Sequence, residues 1–334
     1  MIQEKYFTVH QEQRLVAPYI QQWGRAPSIA VMDSSCKIFY SPEIDGIIGY
    51  RDEAGCVLVF GDPLCSPQDL PGLVALFHNH FAAQKRTIIY LLASEKFKKW
   101  ASEHGYSQTA LSMGDEIIVN PQVDPLSLCG KHASSLRNIN SVINRVGVVF
   151  NEYRGKDLHI EHTMEKIGHQ WVQNRKGPQT SLLHVDIFSN RANKRFFYAE
   201  YNKNIVGVFI LNRLDAYQGW TINALVCAHG APKYASEYMI LQTLALLKKE
   251  QCQYFSFGTL PVSELRTLEG LGKISTFLAP YFFKASKKLF KLNTRKQYWQ
   301  KFAPTIHPSY MLLHKRGIGI REVFGILRAF NVKI

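Results

Sequence analysis

The order of predicted elements repeats along this chain of 334 residues, and the repeat limits the fold more than any single motif does. In the first part, turn residues separate short apolar strands, and an amphipathic helix around residues 73–81 follows them. An apolar strand at 87–94 comes next. The strands before the helix are predicted at SIAVMD (28–33), KIFYS, DGIIGYR and GCVLVFGD. The first part is therefore predicted to open as a meander and to continue as α/β.

The second part follows the same order with a different sequence. A helix around 164–176 precedes four strands, and a helix at 234–251 leads to a last strand at 252–260. The four strands are predicted at SLLHVDIF (181–188), RFFYAEY, NIVGVFILN and WTINALVC, with a hairpin turn at Asn202-Lys203-Asn204. At roughly 150 residues per domain the length gives about two domains. We predict an α/β (α+β) chain with domains at residues 1–155 and 156–334, each a mixed, mostly antiparallel sheet flanked by helices.

Helix, antiparallel meander, helix and strand is an order that resembles the GNAT acyltransferase fold, so the repeat implies two tandem GNAT-like domains. GNAT enzymes that use coenzyme A hold its pyrophosphate with an R/Q-x-x-G-x-G/A loop at a helix N-terminus. At that place this chain has AHGAPK (228–233), with one glycine. The sequence therefore favours a donor other than acyl-CoA. An N-acyltransferase that uses acyl-CoA or an acyl carrier remains the alternative.

The positive charge is concentrated at the C-terminal end. Residues 271–334 contain thirteen Lys and Arg residues against one acid, Glu322, so they carry +12 of the net +14. A basic lobe on a nearly neutral body indicates a polyanionic partner, either RNA or an anionic membrane surface. A solvated charged face is the other interpretation. The predicted helix at 321–330 has an apolar stripe flanked by arginines, which suits either an interfacial anchor or a helix that packs in the core.

Composition and motifs exclude several classes of protein. The longest apolar runs fall short of the ~18 residues that a membrane span needs, and the N-terminus is too polar for a signal peptide. Six scattered cysteines indicate a cytoplasmic protein with free thiols. The sequence contains no G-x-S-x-G, G-x-x-x-x-G-K-[ST] or H-E-x-x-H motif. His78 and His80 lie two positions apart on a predicted helix and point to different faces, so we expect no metal site.

Six motifs occur in the order and spacing of one known family. They are FGDPLCS (60–66), SMGDEIIVN (112–120), the LSLCGK, SLR and NRVG run (126–147), Trp171, FGTLPVS (257–263), and KFAP (301–304) followed by Tyr310. Over almost its whole length the chain resembles the C-terminal catalytic domain of lysyl-phosphatidylglycerol synthase. The sequence contains no counterpart of that family's multi-span flippase half.

The resemblance implies an aminoacyltransferase, with aminoacyl-tRNA as the donor and no other cofactor. The acceptor is a lipid hydroxyl in the membrane enzymes and a small molecule in soluble relatives such as the valanimycin transferase type. An anionic membrane is a further candidate partner, with a location at the inner membrane face as the alternative to a fully cytoplasmic one. A non-catalytic RNA- or membrane-binding protein that keeps the fold is the third interpretation. The sequence leaves the oligomeric state open.

The resemblance also implies three catalytic candidates. Lys301, in KFAP, matches a family lysine beside the active cleft and is expected to contact the donor or its oxyanion, with a solvated lysine as the alternative. Tyr310 is expected to hydrogen-bond in the same cleft or to lie in the core. Asn223 begins an Asn-Ala-Leu-Val segment where the lipid-modifying enzymes have Asp-Leu-Met-Arg, and Trp299 replaces a further family lysine. These departures argue against lysyl-phosphatidylglycerol synthesis specifically.

Four further residues are candidate substrate-binding groups. Gly258 lies in FGTLPVS, and Arg295 and Lys296 lie in the basic lobe that would receive tRNA. Arg137, on a predicted basic helix at 132–147, is a candidate tRNA contact whose alternative role is structural.

Three carboxylates lie at the ends of predicted strands. Asp62, Asp115 and Glu116 have the chemistry of catalytic carboxylates, but turn capping and salt bridges between the domains are the favoured interpretation.

Overall fold

The computed structural model describes residues 9–33, 35–174, 187–188, 191, 193–262, 268–271 and 297–329. Its helices are α1 Val9–Trp23, α2 Leu70–Ala83, α3 Glu95–Glu103, α4 Lys131–Val146, α5 Leu158–Asn174, α6 Ala235–Lys249 and α7 Ile320–Ala329, with 3₁₀ helices at Ala26–Met32 and Asp215–Tyr217. Its strands are β1 Lys37–Ser41, β2 Ile44–Glu53, β3 Cys56–Phe60, β4 Leu64–Cys65, β5 Thr87–Ser94, β6 Thr109–Val119, β7 Val149–Tyr153, β8 Lys194–Tyr201, β9 Asn204–Leu214, β10 Gly219–Cys227, β11 Phe255–Pro261, β12 Leu268–Glu269 and β13 Thr305–Leu313.

The described strands form one continuous sheet. Its order is β1-β2-β3-β5-β13-β6-β11-β10-β9-β8-β7, with β4 on β2 and β12 on β6. Neighbouring strands along this order are antiparallel except for β3 with β5 and β10 with β11, which are parallel. The predicted class, a mixed and mostly antiparallel α/β fold, is confirmed.

The chain builds two similar units within this sheet. In the first half, which we define as β1–β5 with α2 and α3, a meander leads through α2 to the parallel strand β5. In the second half, defined as β8–β11 with α5 and α6, a meander leads through α6 to the parallel strand β11. Parallel neighbours need a crossover connection, and a helix supplies it in both halves. The tandem GNAT-like arrangement is therefore visible in the strand order itself.

The two halves share elements across the sheet. Strand β13, near the C-terminus, lies between β5 and β6 and pairs antiparallel with both. Helix α4 precedes residue 155, yet its Leu136, Ile139 and Ile143 pack in the same core as Leu244 of α6. Elements from either side of residue 155 thus cross the boundary, and the division at 155 stays a prediction about folding units.

Helices cover both faces of the sheet. In the first half α2 and α3 pack on one face, and α1, the first 3₁₀ helix and α7 pack on the other. In the second half α4 and α6 cover one face and α5 the other. None of the described helices combines the length and the apolar character that crossing a bilayer takes.

Two local predictions have different outcomes. The segment 28–33 is part of the 3₁₀ helix Ala26–Met32, so the predicted strand is wrong there. Pro27 fixes a helical φ near its start, and Val31 is buried so closely against Gly49 that a Cβ at Gly49 would lie 2.2 Å from it. A short apolar run fits a buried strand or a buried helical turn equally well. The predicted strand at 181–188 lies outside the described residues except for 187 and 188, which form a bend.

The hairpin between β8 and β9 is confirmed. Asn202 and Lys203 have φ angles of 49° and 61°, and Tyr201 pairs with Asn204 across the turn. Two consecutive positive φ angles define the two-residue turn whose twist matches that of the flanking strands.

Candidate functional site

Two parallel strands of the second half separate after a short contact. Strands β10 and β11 pair only at Trp220 with Phe255 and at Thr221 with Ser256. We call the space between the two strands beyond these pairs the open seam. Backbone N–H and C=O groups along a seam between strands are free to bind a ligand, because no sheet partner uses them.

A bulge lies on each strand next to the open seam. The register of β10 against β9 shifts between Ile222 and Ala224, at Asn223. The register of β11 against β6 shifts between Ser256 and Thr259, so Gly258 lies in that irregularity. Bulges bend a strand and interrupt pairing, and they explain why the two strands diverge.

Gly258 shows that the seam is open at this level. Its φ is +88°, a conformation that favours glycine, and a Cβ built there would meet nothing within 4 Å. Two candidates from the sequence, Asn223 and Gly258, therefore lie on the two strands at the point where the ladder stops.

A charged pair lies where α6 follows β10. The Lys301 Nζ donates to Glu237 Oε1 at 3.0 Å, and the Ser236 hydroxyl donates to Glu237 Oε2 at 2.9 Å. The Tyr298 hydroxyl donates to Ser236 Oγ at 2.9 Å, and Lys301 Nζ is 5.2 Å from the centre of the Tyr298 ring. Both oxygens of the Glu237 carboxylate are thus hydrogen-bonded, and Lys301 is held in one direction.

Burial sets the electrostatics of this group. The Glu237 side chain is 7% exposed and the Lys301 side chain 24%, so the lysine is the more exposed member of the pair. Burial, and then the Glu237 charge, raises the pKa of Cys227 to about 11 and raises that of Tyr298 as well. Both side chains therefore stay protonated at neutral pH, and Glu237 with Lys301 carries the charge of the site.

Aromatic rings connect the charged pair to the open seam. The Phe257 ring is 4.7 Å from the Trp299 ring and 5.5 Å from the Phe302 ring. Residues 297–300 form a helical turn, which these contacts fix against β11 beside Gly258. Lys301, Asn223 and Gly258 are thus brought into one region of the second half.

A second polar cluster lies at the junction between the halves. Glu116 of β6 is 1% exposed, and its carboxylate accepts hydrogen bonds from Arg25, from the Tyr254 hydroxyl at 2.9 Å and from the Ser256 hydroxyl at 3.2 Å. The Gly258 N–H donates to the same Ser256 Oγ at 3.2 Å. The buried carboxylate therefore fixes the backbone beside the open seam through a single serine.

Arg25 supplies the positive charge of this polar cluster. Its guanidinium contacts Glu116 directly and lies 3.8 Å from Asp62, whose other oxygen accepts the Ser94 N–H at 2.8 Å. Although burial acts in the opposite sense, the charges of Asp62 and Glu116 raise the pKa of Arg25. The Ser94 bond fits the capping role expected of Asp62, but Arg25, Asp62 and Glu116 all lie within residues 1–155, so these salt bridges do not join the two predicted domains.

The remaining candidates lie elsewhere. Tyr310 is on β13, buried in the core of the first half with the Lys98 ammonium 4.5 Å above its ring, and not beside Lys301. Arg137 Nη1 donates to the carbonyls of Leu126 and Leu128, at 2.8 and 3.0 Å, and thereby holds the loop before α4. Arg295 and Lys296 lie outside the described residues.

Sequence reasoning missed Glu237, Ser236 and Tyr298. A weak signal was present, because Ser236 and Glu237 directly follow the loop that replaces the coenzyme A motif. Tyr298 precedes Lys301 by three residues, the spacing of neighbours on a helix. No pattern of neighbouring residues connects segment 236–237 with segment 298–301, because the two are more than 60 residues apart in the chain.

Among the described residues, no group of three His, Cys, Asp or Glu side chains is arranged to hold a metal ion. The repeated sheet with one open seam is the fold of a tandem GNAT-like acyltransferase domain. The site in it is built from a Lys–Glu pair, hydroxyl groups and backbone.

The sequence relationship is more specific than the fold. Residues 27–313 match the family described as "Phosphatidylglycerol lysyltransferase, C-terminal". The chain belongs to this family, as the six motifs predicted.

Solved structures share this fold, and one curated relative matches most of this chain. L-PGS from Bacillus licheniformis has a TM-score of 0.80 at 17% identity, with 97% of this chain and 98% of that one covered. The C-terminal domain assigned to a lysylphosphatidylglycerol synthetase from Agrobacterium fabrum has a TM-score of 0.78 at 15% identity, with coverages of 98% and 99%. An uncharacterised protein of Corynebacterium glutamicum is 19% identical over 82% of this chain, and the match spans 35% of that protein's length. At these identities the solved structures establish the fold.

Proposed function

We propose that this protein moves an aminoacyl group from aminoacyl-tRNA to a hydroxyl or amine of a lipid or small-molecule acceptor. Membership of the lysyltransferase family supports an aminoacyl transfer to a lipid. The observation that carries the proposal is the Lys301–Glu237 pair beside the open seam, because it supplies a fixed, partly exposed cation where two strands leave room for a substrate.

To catalyse this reaction, a protein has to align the acceptor with the aminoacyl ester and stabilise the charge that develops. The acceptor oxygen or nitrogen attacks the carbonyl carbon of the aminoacyl ester and forms a new C–O or C–N bond. The bond from that carbon to the ribose oxygen breaks, and the proton that the acceptor loses ends on the ribose oxygen. An oxyanion develops on the carbonyl oxygen between these two steps. Positioned donors of positive charge or hydrogen bonds stabilise it.

In this proposal Lys301 is the oxyanion-stabilising group. Glu237 orients it, and Ser236 and Tyr298 hold Glu237 in turn, so the ammonium needs little reorganisation during the reaction. Asn223, on the bulge of β10, supplies an amide N–H donor. An asparagine there has no carboxylate to act as a base, so its proposed role is to bind rather than to accept a proton.

The charge distribution supports a polyanionic donor. Residues 271–334 carry a net +12, and contacts between cations and phosphates make binding sensitive to salt. Arg295 and Lys296 are the proposed phosphate contacts. The contacts of Arg137 support a structural role for it, which is to order the loop before α4. We propose a cytoplasmic location, where the donor occurs.

The α6 N-terminus argues against the acyl-CoA alternative. A helix N-terminus attracts a phosphate because its first N–H groups are unpaired. Here the buried Glu237 carboxylate already lies in the first turn of α6. This turn, with Glu237 paired to Lys301, therefore differs from the glycine-rich loop that would hold a pyrophosphate.

The test is transfer of label out of tRNA. Purified protein is incubated with a fully charged, labelled tRNA pool and a lipid and metabolite extract, with enzyme-free and RNase-treated controls. The variants are Lys301→Ala and, as a matched control, Lys249→Ala on the exposed end of α6. Removal of one oxyanion-stabilising group is expected to slow transfer by about 10²–10³-fold.

The fraction that receives label identifies the acceptor. Label in a lipid or small-molecule fraction that is lost with Lys301→Ala and kept with Lys249→Ala would support the proposal. Equal transfer by the Lys301 variant would refute the role of the pair. Absence of transfer, together with coenzyme A binding to the same sample, would favour the acyl-carrier alternative. Absence of both would favour a binding protein without catalysis.

A further inference from the structure

Helix α7 packs on the first half through its smallest residues. Gly325 lies so close to β2 and β3 that an added Cβ would be 3.1 Å from the Glu53 carbonyl oxygen and 3.3 Å from Cys56. Ala329 and Glu322 are also buried on this inner face. The apolar stripe predicted for the helix is therefore not the face that enters the core.

Polar contacts fix both ends of α7. Glu322 accepts hydrogen bonds from the Gly319 N–H and the Lys315 ammonium, both at 2.7 Å. Burial opposes ionisation of Glu322, but the bonds from Lys315 and Gly319 prevail and lower its pKa. At the other end, Arg51 Nη1 donates to the Ala329 carbonyl at 2.9 Å. Rotation about the helix axis would break the Arg51 bond and the close packing of Gly325, so this arrangement directs Ile320 and Phe324 outward.

The outward face carries exposed apolar side chains. Ile320 is 77% exposed and Phe324 is 42% exposed, and the two lie one turn apart. With a helical step of about 100° per residue, Val323 and Leu327 fall on the same side. Large side chains at the surface of a rigid helix usually mark a binding surface when they occur as a group.

Arginines border this apolar face on one flank. The same helical step places Arg321 and Arg328 next to Phe324, and both are exposed. Arg316, in the turn before α7, is exposed as well. Within the described part of the chain none of these three arginines forms an ion pair, whereas Arg86 and Lys315 nearby are paired with Asp52 and Glu322.

We infer that this outward face of α7, made by Ile320, Phe324, Arg321 and Arg328, docks on the surface of an anionic lipid bilayer. An interfacial helix buries an apolar face at the level of the headgroups while its cationic side chains contact anionic lipid phosphates. The face offers both features on one rigid helix. A second copy of the chain would bring the same unpaired arginines against each other, and RNA would gain little from exposed Ile and Phe side chains.

The docking surface is independent of the acyl transfer. It lies on the first half, whereas the proposed catalytic pair lies in the second half. A vesicle assay contains no aminoacyl donor, so its result does not depend on whether the protein transfers anything.

The experiment is co-sedimentation of the full chain with lipid vesicles. Three compositions are compared: phosphatidylcholine alone, phosphatidylcholine with phosphatidylglycerol, and phosphatidylcholine with phosphatidylserine at the same mole fraction. The variants are the doubles Ile320→Ser/Phe324→Ser and Arg321→Gln/Arg328→Gln. Leu158→Ser, at an 82% exposed position of α5, controls for loss of a surface apolar group, and Lys248→Gln/Lys249→Gln controls for loss of two charges.

We expect binding to both anionic compositions, at least tenfold weaker binding to phosphatidylcholine alone, and weaker binding as salt increases. Each α7 double variant is expected to lose binding tenfold or more, with both controls unchanged. Circular dichroism checks that the variants are folded, which the exposed positions should permit.

Several outcomes would overturn the inference. Equal binding by the α7 variants and wild type would exclude the face. Binding to phosphatidylglycerol but not to phosphatidylserine would point to capture of one headgroup in a pocket. Dimers in solution that Ile320→Ser/Phe324→Ser converts to monomers would assign the face to a second copy. If the wild-type protein bound RNA but not vesicles, and only the Arg321→Gln/Arg328→Gln variant lost RNA binding, the face would be assigned to RNA.

Discussion

Each half of the sheet contains one pair of parallel neighbouring strands, and the two pairs differ in how many residues stay paired. In the first half, β3 and β5 pair over five residues, and the Gly61 N–H extends the contact to the Leu91 carbonyl at 2.8 Å. In the second half, β10 and β11 pair over two residues and then separate. The first pair is closed and the second leaves the open seam.

This difference places the closed scaffold and the proposed site in different halves of one repeated fold. The closed half is filled by apolar side chains, and β13 completes it on the other side of β5. The open half has the bulges, the glycine with free space around it, and the Lys301–Glu237 pair. In the proposed function, the closed copy of the fold is the scaffold and the open copy binds the substrate.

The largest expected effect is at the junction that holds the halves together. Arg25→Met leaves the Glu116 carboxylate buried, at 1% exposure, without its cation. Loss of one partner of a buried pair costs about 3–5 kcal/mol, which urea unfolding would measure. Arg86→Met, whose pair with Asp52 is partly exposed, should cost less than about 1 kcal/mol.

A double variant sharpens this prediction. Arg25→Met combined with Glu116→Leu removes both charges, and it should recover part of the lost free energy of unfolding. If the Arg25 and Arg86 variants lost equal stability, the cluster would not be the link between the halves.

A second prediction concerns pH and the core of the first half. Burial, and then the neighbouring His314, lowers the pKa of His78 from 6.5 to about 4. Below pH 6.5 the unfolded chain binds a proton at this position before the folded chain does, so stability falls as pH falls toward 4. The contribution is about 2–3 kcal/mol near pH 4.

Urea unfolding between pH 7 and 4 would measure this loss. His78→Asn should flatten the pH dependence, whereas His132→Asn on the exposed side of α4 should leave it unchanged. The same slope in both variants would show that other groups cause the acid sensitivity.

A third prediction compares two glycines, one in each half. Gly61 and Gly258 have φ angles of +76° and +88°, so an alanine at either position should cost about 1–2 kcal/mol. Only Gly258→Ala adds a methyl group at the open seam, and only this variant should slow acyl transfer. Equal activity of the two variants would place the substrate elsewhere.

The smallest expected effect comes from the outer hydrogen bond of the site. Tyr298→Phe removes the donor to Ser236 and should cost about 0.5–1.5 kcal/mol of stability, with transfer slowed only several-fold. Tyr201→Phe, at a half-buried position of β8, is the matched control. A loss of activity as large as that of Lys301→Ala would instead give Tyr298 a direct role.

Many helices and strands of this fold were predictable because they depend on residues that are close together in the sequence. Helical spacing predicted α2 and α6, and short apolar and aromatic runs on either side of a turn at Asn202 predicted β8 and β9. The strand at 28–33 failed because a short apolar run has no period that separates a strand from a buried turn. Sequence analysis also predicted neither α1 nor β13.

The candidate site was predictable only in part. Lys301, Asn223 and Gly258 came from the family resemblance; Asn223 and Gly258 border the open seam, and Lys301 follows the turn that packs on Phe257. Of the two positions expected for Tyr310, the cleft or the core, the structure has the core, because β13 leaves the Lys301 segment and inserts between β5 and β6. Six residues after KFAP, at Tyr310, the chain has entered another core, and no local pattern in the sequence predicts this change.

The sequence by itself determined many of the helices and strands, that their order repeats, and that positive charge is concentrated at the C-terminal end. Periodicity and composition encode these properties, and both are read from neighbouring residues. Only the tertiary structure decided which half opens, that Glu237 receives Lys301, and that α7 turns its small residues inward and Ile320 and Phe324 outward. The physical reason is that each of these outcomes depends on contacts between segments far apart in the chain, where backbone pairing and close packing select one arrangement among several that local propensity would allow.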